Sequence, residues 1–118
     1  MATALRVGGI YLLLIGILLL IPTWGAAVFG RAMADPAVTS GWGVALLALG
    51  LIQYAAASNA AAGAVIAIPM VVGYLLTTVD LIYYWYTGHY TARNVLVPII
   101  LNVALAAWLW MGRARPAA

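Results

Sequence analysis

Four long apolar runs divide the chain into candidate membrane spans. They cover, in chain order, residues 5–21, 41–57, 61–86 and 94–111. Each is close to the ~20 residues that a helix needs to cross the hydrocarbon core of a bilayer. Short polar segments separate the second, third and fourth runs. The pattern predicts an all-α fold, a four-transmembrane-helix bundle that forms a single integral membrane domain over residues 1–118.

The link between the first and second spans is longer than the others and amphipathic. Pro22 lacks a backbone N–H and is expected to end the first helix. Residues 23–38 mix aromatic side chains with Arg31 and Asp35, which is typical of a segment that lies along the membrane surface. The sequence therefore predicts a short interfacial segment between spans 1 and 2. We expect span 1 to be retained, because the AMA sequence at 32–34 lies far from the apolar run for a signal-peptide cleavage site.

Composition assigns the chain to the membrane and excludes several other classes. Hydrophobic residues make up 68% of its 118 residues and charged residues 6%, against roughly 25% charged residues in soluble domains. The five basic residues are spread over the termini and two loops, so they form no clustered basic face for a nucleic acid. With no cysteine and a single histidine, the sequence predicts no metal site. The expected partner is the lipid bilayer.

Arginine positions predict the orientation of the spans. Arg6, Arg113 and Arg115 fall on the side of the two termini, and Arg31 and Arg93 fall on the other side. Cytoplasmic loops carry an excess of basic residues, so three arginines against two favour both termini in the cytoplasm. We expect a multi-pass protein of the inner cell membrane.

Small residues predict where the helices approach each other closely. Gly43 and Gly50 are seven residues apart on span 2, and Ala60, Ala64 and Ala67 recur near the start of span 3. Such spacings let helix backbones pack in lipid, where no hydrophobic force drives helices together. A compact bundle is the expected result.

Polar residues on span 3 form the candidate site. Thr77, Asp80 and Tyr84 follow one another at spacings of three and four, and they therefore share one helical face. An ionised aspartate costs about 2.5–3.5 kcal/mol at the centre of a bilayer. Such a residue usually faces the bundle interior or water and has a partner.

The predicted partner of Asp80 is Asn102 on span 4, which lies within about one helical turn of the same depth. Arg93, His89 and Arg31 are the alternative partners. A pair between Asp80 and one of these residues fastens two helices, whereas an Asp80 that faces a pocket binds a ligand or a proton. Both interpretations are open at this point.

No residues in the chain match the spacings that pair a nucleophile with its base or that hold a phosphate. The sequence therefore predicts no catalytic residue. It favours a non-enzymatic role and leaves an enzymatic one open.

Four stretches of the chain carry a family resemblance. They are LRVGGIYLLLIGILLLIP, an opening span closed by proline; an outer segment with FG; GWGVALLALGLIQYAAA, a second span with glycines; and TTVDLIYYW, with a late carboxylate. In this order they resemble the DoxX-like class of small bacterial four-helix membrane proteins. The resemblance implies that some relatives are small subunits in quinone-coupled oxidation or in oxidative-stress complexes. It maps no catalytic residue onto this chain.

Three hypotheses for the function follow, in order of preference. The first is a non-enzymatic accessory subunit or packing partner in a homo-oligomer or a larger membrane complex. The second is a binding protein for a quinone or lipid-like hydrophobic molecule, whose polar head contacts Asp80, Tyr84 and Asn102. The third is a minimal proton-coupled transporter with Asp80 as the titrating group. Apart from a bound quinone or lipid, no cofactor is expected.

Overall fold

The computed structural model describes residues 1–32 and 35–113. Its elements are the α-helices α1 (Ala2–Leu20), α2 (Pro22–Phe29), α3 (Pro36–Ala56), α4 (Ala60–Tyr86) and α5 (Ala92–Arg113). Within the described residues, four of these helices, all but α2, are long and apolar enough to cross a membrane. The predicted all-α fold with four candidate spans is therefore confirmed. The long axis of the molecule measures 47 Å, which is close to the ~40–45 Å thickness of a bilayer with its headgroups.

Two sequence predictions fall partly outside the described residues. The AMA sequence at 32–34 includes Met33 and Ala34, and Arg115 belongs to the arginines that predict the orientation; all three lie outside the described ranges. Arg113, the last described residue, ends α5.

Pro22 ends one helix and begins the next. Ile21 is extended, with φ −111° and ψ 92°, and Pro22 is the first residue of α2. Proline is tolerated there because the first N–H groups of a helix have no intrahelical partner. Gly30 ends α2 with a φ of 70°, a left-handed conformation that glycine adopts without strain. The predicted break after span 1 is confirmed, and the following segment contains a short helix.

The third helix begins at Pro36 and not at residue 41, where the sequence predicts the second span to start. Asp35 accepts hydrogen bonds from two backbone N–H groups of the first turn, at 3.1 and 3.2 Å. Aspartate followed by proline is a common way to start a helix. The prediction placed these residues in the interfacial segment because they interrupt the apolar run. Asn59 caps α4 in the same way.

Two pairs of glycines bring α1 and α3 together in antiparallel packing. Gly9 faces Gly50, and Gly16 faces Gly43. A Cβ atom added at Gly43 would lie 2.6 Å from the Gly16 carbonyl oxygen, and one added at Gly50 would lie 2.8 Å from the Gly9 carbonyl oxygen. Only hydrogen atoms fit between the two backbones. The predicted role of Gly43 and Gly50 in close packing is confirmed, and their partners are the two glycines of span 1.

Of the three alanines of α4 that were predicted to pack closely against another helix, one is buried. Ala67 is fully buried, whereas Ala60 and Ala64 are exposed. The buried face at this end of α4 runs through Gly63 and Ala67. Ala64 is turned away from that face by about 100°, and Ala60 is the first residue of the helix. The prediction for Ala60 and Ala64 is therefore wrong.

The buried core of the bundle lies nearer to one end than to the other. We call the end with the N-terminus of α1 the lower end, and the end with residues 87–91, which join α4 to α5, the upper end. The core consists of buried residues from the lower half and the middle of three helices: Ala4, Leu5, Leu12, Val71, Tyr74, Leu105, Ala106 and Leu109. α1 packs mainly on α3, and α4 packs mainly on α5. These two helix pairs meet at the core.

Large apolar side chains are exposed on all four long helices. Leu14, Leu51 and Val97 are examples, and Val65 is 75% exposed. Soluble proteins rarely expose contiguous apolar surface on this scale, because it is unfavourable in water. The surface is compatible with a multi-pass membrane protein whose helices face lipid.

Candidate functional site

A cavity of about 950 Å³ lies between the two helix pairs. Its walls are mostly apolar side chains of α1, α3, α4 and α5. The residues with polar side chains in its lining are Tyr11, Arg31, Asp35, Thr39, Tyr74, Thr77, Asp80, Tyr84, Tyr90, Asn94 and Asn102. On α1 and α5 the lining comes from the upper half of the helix, so the cavity occupies the side opposite the core. A concave apolar site with a few polar groups is the usual form of a small-molecule site.

The four residues that the sequence predicts as ligand-binding or interhelical all line this cavity. Thr77, Asp80 and Tyr84 come from α4, and Asn102 comes from α5. Asp80 lies six residues before the end of α4, which places it about 9 Å below the upper end of that helix. Helical periodicity on span 3 was therefore sufficient to find one wall of the cavity.

The predicted pair between Asp80 and Asn102 is not formed among the described residues. The Asn102 Nδ2 atom donates to the Pro98 carbonyl oxygen at 2.7 Å and to the Tyr11 hydroxyl at 3.3 Å. Asn102 lies ten residues into α5, about 15 Å below the upper end, and Asp80 is about 9 Å below it. Asn102 is thus deeper than Asp80, and α1 supplies a nearer partner.

The three alternative partners of Asp80 are Arg31, Arg93 and His89, and both arginines have other neighbours. The Arg31 guanidinium donates to the His89 carbonyl oxygen. The Arg93 guanidinium lies beside Gly30, close to the position that a Cβ atom would take there. Within residues 1–32 and 35–113, no ion pair joins Asp80 to any of them. The helix-fastening interpretation of Asp80 therefore has no hydrogen bond or ion pair to support it, and Asp80 lines the cavity.

Aromatic rings gather at the upper rim of the cavity. The Tyr84 ring is 5.3 Å from the His89 ring and 6.0 Å from the Tyr90 ring, and both contacts are edge-to-face. The Arg31 guanidinium lies 5.1 Å from the centre of the Tyr90 ring, within range of a cation–π interaction. Tyr86, by contrast, is 90% exposed at the end of α4. The aromatic cluster of span 3 thus separates into rings that line the rim and rings that face outward.

Hydrogen-bonded side chains from all four long helices form a buried layer at the floor of the cavity. The Tyr74 hydroxyl donates to Gln53 Oε1 at 2.9 Å, and Gln53 Nε2 donates to the Leu5 carbonyl oxygen at 3.3 Å. Tyr11, whose ring lies 6.5 Å from that of Tyr74, accepts a hydrogen bond from Asn102. Tyr11, Tyr74 and Asn102 lie about 14–18 Å below the upper ends of their helices, a distance comparable to half of a ~30 Å hydrocarbon core.

This layer was not predicted from the sequence, although the sequence contains a signal for it. Tyr11 and Tyr74 each interrupt a run of aliphatic residues, and Gln53 is a lone amide in an apolar span. A polar side chain in the middle of a span needs a partner, so these residues are natural candidates to pair. Which of them pair depends on the rotation of each helix, and periodicity along one span does not give that rotation between spans.

Asn94 connects the short helix α2 to α5 at the upper rim. Its Oδ1 atom accepts from the Thr91 N–H at 2.9 Å, which caps the start of α5. Its Nδ2 atom donates to the Phe29 carbonyl oxygen at 2.6 Å. Asn94 and Phe29 both line the cavity. The short helix α2 is therefore held against the upper side of the site.

Comparison of the chain with protein-family models, with curated proteins and with solved structures finds no match. The resemblance to the DoxX-like class stays a prediction. The cavity and the side chains in its lining are the features of the structure that bear on function.

Proposed function

We propose that this protein is a membrane-embedded binding protein for a lipid-like hydrophobic molecule. The observation that carries the proposal is the cavity between the two helix pairs, with about 950 Å³ of space and mostly apolar walls. Sites that bury small molecules usually have ~300–1,000 Å³, so the space suffices for a ligand of that class. This is the second of the three hypotheses from the sequence, and the cavity moves it ahead of the first.

The lining supports a division of the ligand into an apolar body and a polar head. Leu12, Ile15 and Leu46 offer apolar surface, where burial stabilises binding by about 25 cal/mol per Å². Asp80 and Tyr84 line the upper part and are suited to bind the head. A carboxylate in this position favours a head group that donates hydrogen bonds or carries positive charge, because either one offsets the cost of an unpaired charge in the membrane.

The side of the bundle between α3 and α4 offers a path into the cavity from the bilayer. Cavity-lining side chains of these two helices are exposed, Trp42 by 59% and Leu76 by 64%, whereas the lining residues Leu12 of α1 and Val95 of α5 are buried. A lipid or a quinone dissolved in the membrane reaches such an opening without passing through water. We propose this ligand class for that reason.

The experiment that tests the proposal is identification of the molecule retained after purification in mild detergent. Native mass spectrometry and solvent extraction of the wild-type protein are expected to give a stoichiometric hydrophobic molecule, and Asp80→Asn is expected to lower its occupancy. Tyr54→Phe is the control, since Tyr54 is 44% exposed and lies outside the cavity lining, so this substitution is expected to leave the occupancy unchanged. A wild-type protein without any retained molecule contradicts the proposal.

The two other hypotheses stay predictions. A stoichiometric second protein, or a stable homo-oligomer with an empty cavity, in the same mass spectra favours an accessory subunit or packing partner. Proton-driven uptake into vesicles that stops on Asp80→Asn favours the transporter, and uptake that survives the substitution removes it. We also propose that the protein belongs to the DoxX-like class, lies in the bacterial inner membrane and has both termini in the cytoplasm. The arginine distribution supports this orientation.

A further inference from the structure

We infer that the floor of the cavity is a second polar subsite, in which Tyr11 and Asn102 bind an uncharged ligand group that both donates and accepts a hydrogen bond, such as an alcohol. The inference rests on the proposed function and deepens it. Asp80 and Tyr84 bind one polar group of the ligand, and the floor binds another group deeper in the bundle.

Asn102 offers the acceptor of this subsite. The residue is 3% exposed, yet it lines the cavity. Its Nδ2 atom is used by Pro98 and Tyr11, while Oδ1 accepts no hydrogen bond from the described residues. Among those residues, no side-chain nitrogen or oxygen that is shut off from solvent lacks a partner. The Oδ1 atom is therefore accessible, and the space that it faces is the cavity.

Tyr11 offers the donor. Its hydroxyl oxygen accepts the N–H of Asn102 at 3.3 Å, and its own proton has no acceptor among the described side chains and carbonyls. A phenol both donates and accepts, so this proton is available to a ligand. Tyr11 also lines the cavity. The neighbouring Tyr74 does not take this role, because its proton is already donated to Gln53.

The residues around this subsite favour an uncharged ligand group. The charged residues of the lining, Arg31, Asp35 and Asp80, all lie nearer the upper end than Asn102 does. A charged ligand group at the floor has no counter-charge there and is costly in the middle of a bilayer. A ketone or ether uses only the Tyr11 donor, whereas an alcohol uses the Tyr11 donor and the Asn102 acceptor together.

The test compares an alcohol with its methyl ether. A hexadecan-1-ol that carries a diazirine in its chain labels the protein in nanodiscs, and unlabelled hexadecan-1-ol, 1-methoxyhexadecane and hexadecane compete with it. Labelled residues are located by peptide mass spectrometry. For the wild-type protein we expect label on cavity residues and about fivefold stronger competition by the alcohol than by the ether, because the ether cannot donate to Asn102.

The variants assign the preference to each residue. In Asn102→Leu the alcohol and the ether are expected to compete equally. In Tyr11→Phe both compete less well, and the alcohol keeps its advantage because Asn102 still accepts. Tyr54→Phe is the matched control, since Tyr54 is 44% exposed and lies outside the cavity, and it is expected to behave as the wild type.

The outcomes separate this inference from the proposed function. Equal competition by the alcohol and the ether in the wild type overturns the subsite, and that comparison depends on no variant. An advantage of the alcohol that persists in Asn102→Leu overturns it as well. In both cases displacement of the label from cavity residues by hexadecane leaves the proposed function standing. Absence of label from the cavity removes both.

Discussion

Asp80 is a carboxylate that lines a cavity and does not join two helices. Asn102, its predicted partner, binds Tyr11 and its own helix, and Arg31 binds the His89 carbonyl oxygen. Replacing a residue that stabilises the fold removes contacts and lowers the free energy of unfolding. Replacing a residue that binds a ligand mainly lowers the occupancy of that ligand. The two roles therefore predict different results for one substitution.

We expect Asp80→Asn to lower the free energy of unfolding by no more than about 0.5 kcal/mol, because among the described residues Asp80 makes no side-chain hydrogen bond or ion pair that the substitution removes. Reversible unfolding in mixed detergent micelles measures this quantity. If Asp80 fastened two helices as one partner of a buried ion pair, the loss would be about 3–5 kcal/mol. A loss of that size contradicts the position that the structure gives to Asp80.

The hydrogen bond between Gln53 and Tyr74 predicts a measurable coupling. Gln53→Leu removes the acceptor of a buried tyrosine hydroxyl, and Tyr74→Phe removes the donor to a fully buried amide. Interhelical hydrogen bonds in membranes contribute about 0.6 kcal/mol on average and up to about 1.7 kcal/mol. A double-mutant cycle with these two substitutions is expected to give a coupling in that range. Strictly additive effects contradict the contact.

At the scale of residues, the sequence predicted which side chains share a face of one helix. It did not predict which side chains of different helices meet. The spacing of Thr77, Asp80 and Tyr84 places them on one face, and all three line the cavity. The partner of Asn102 depends on how α1 and α5 rotate against each other, which is set by packing at many other residues. Tyr11 was therefore identified as part of the site from the structure and not from the sequence.

Among the helices, the span positions follow from hydropathy, because a membrane span must be long and apolar whatever its neighbours are. The boundaries were less predictable. Asp35 and Pro36 start α3 by local capping chemistry, which an apolar window does not detect. The pairing of α1 with α3 follows from glycines on both helices, and only those of α3 were identified from the sequence.

Close backbone contact between α1 and α3 predicts a strong effect of one methyl group. Gly43→Ala places a Cβ atom 2.6 Å from the Gly16 carbonyl oxygen and 2.7 Å from the Leu20 nitrogen, so the helices must separate. We expect a loss of about 1–3 kcal/mol in the free energy of unfolding. Gly41→Ala on the same helix meets nothing within 4 Å and is expected to be neutral or stabilising by up to about 1 kcal/mol. Equal effects of the two substitutions contradict the packing.

The whole molecule consists of two helix pairs that meet at a core in the lower half and the middle and enclose a cavity above it. The core explains why the bundle stays together although α3 and α4 contact each other little. The cavity explains why residues with polar side chains lie on faces that point into the bundle. Neither feature was derivable from the sequence, because both depend on the distance between the two pairs.

The central claim is that the cavity holds a hydrophobic molecule, and filling the cavity tests it most directly. Gly73 lines the cavity, and a Cβ atom added there meets nothing within 4 Å, so Gly73→Leu extends into the space without a backbone clash. Gly41→Leu is the matched control outside the cavity. Native mass spectrometry from nanodiscs measures the fraction of protein with a retained small molecule.

We expect the wild type and Gly41→Leu to retain the molecule equally and Gly73→Leu to lose it while remaining folded. Equal retention by all three proteins contradicts binding in the cavity.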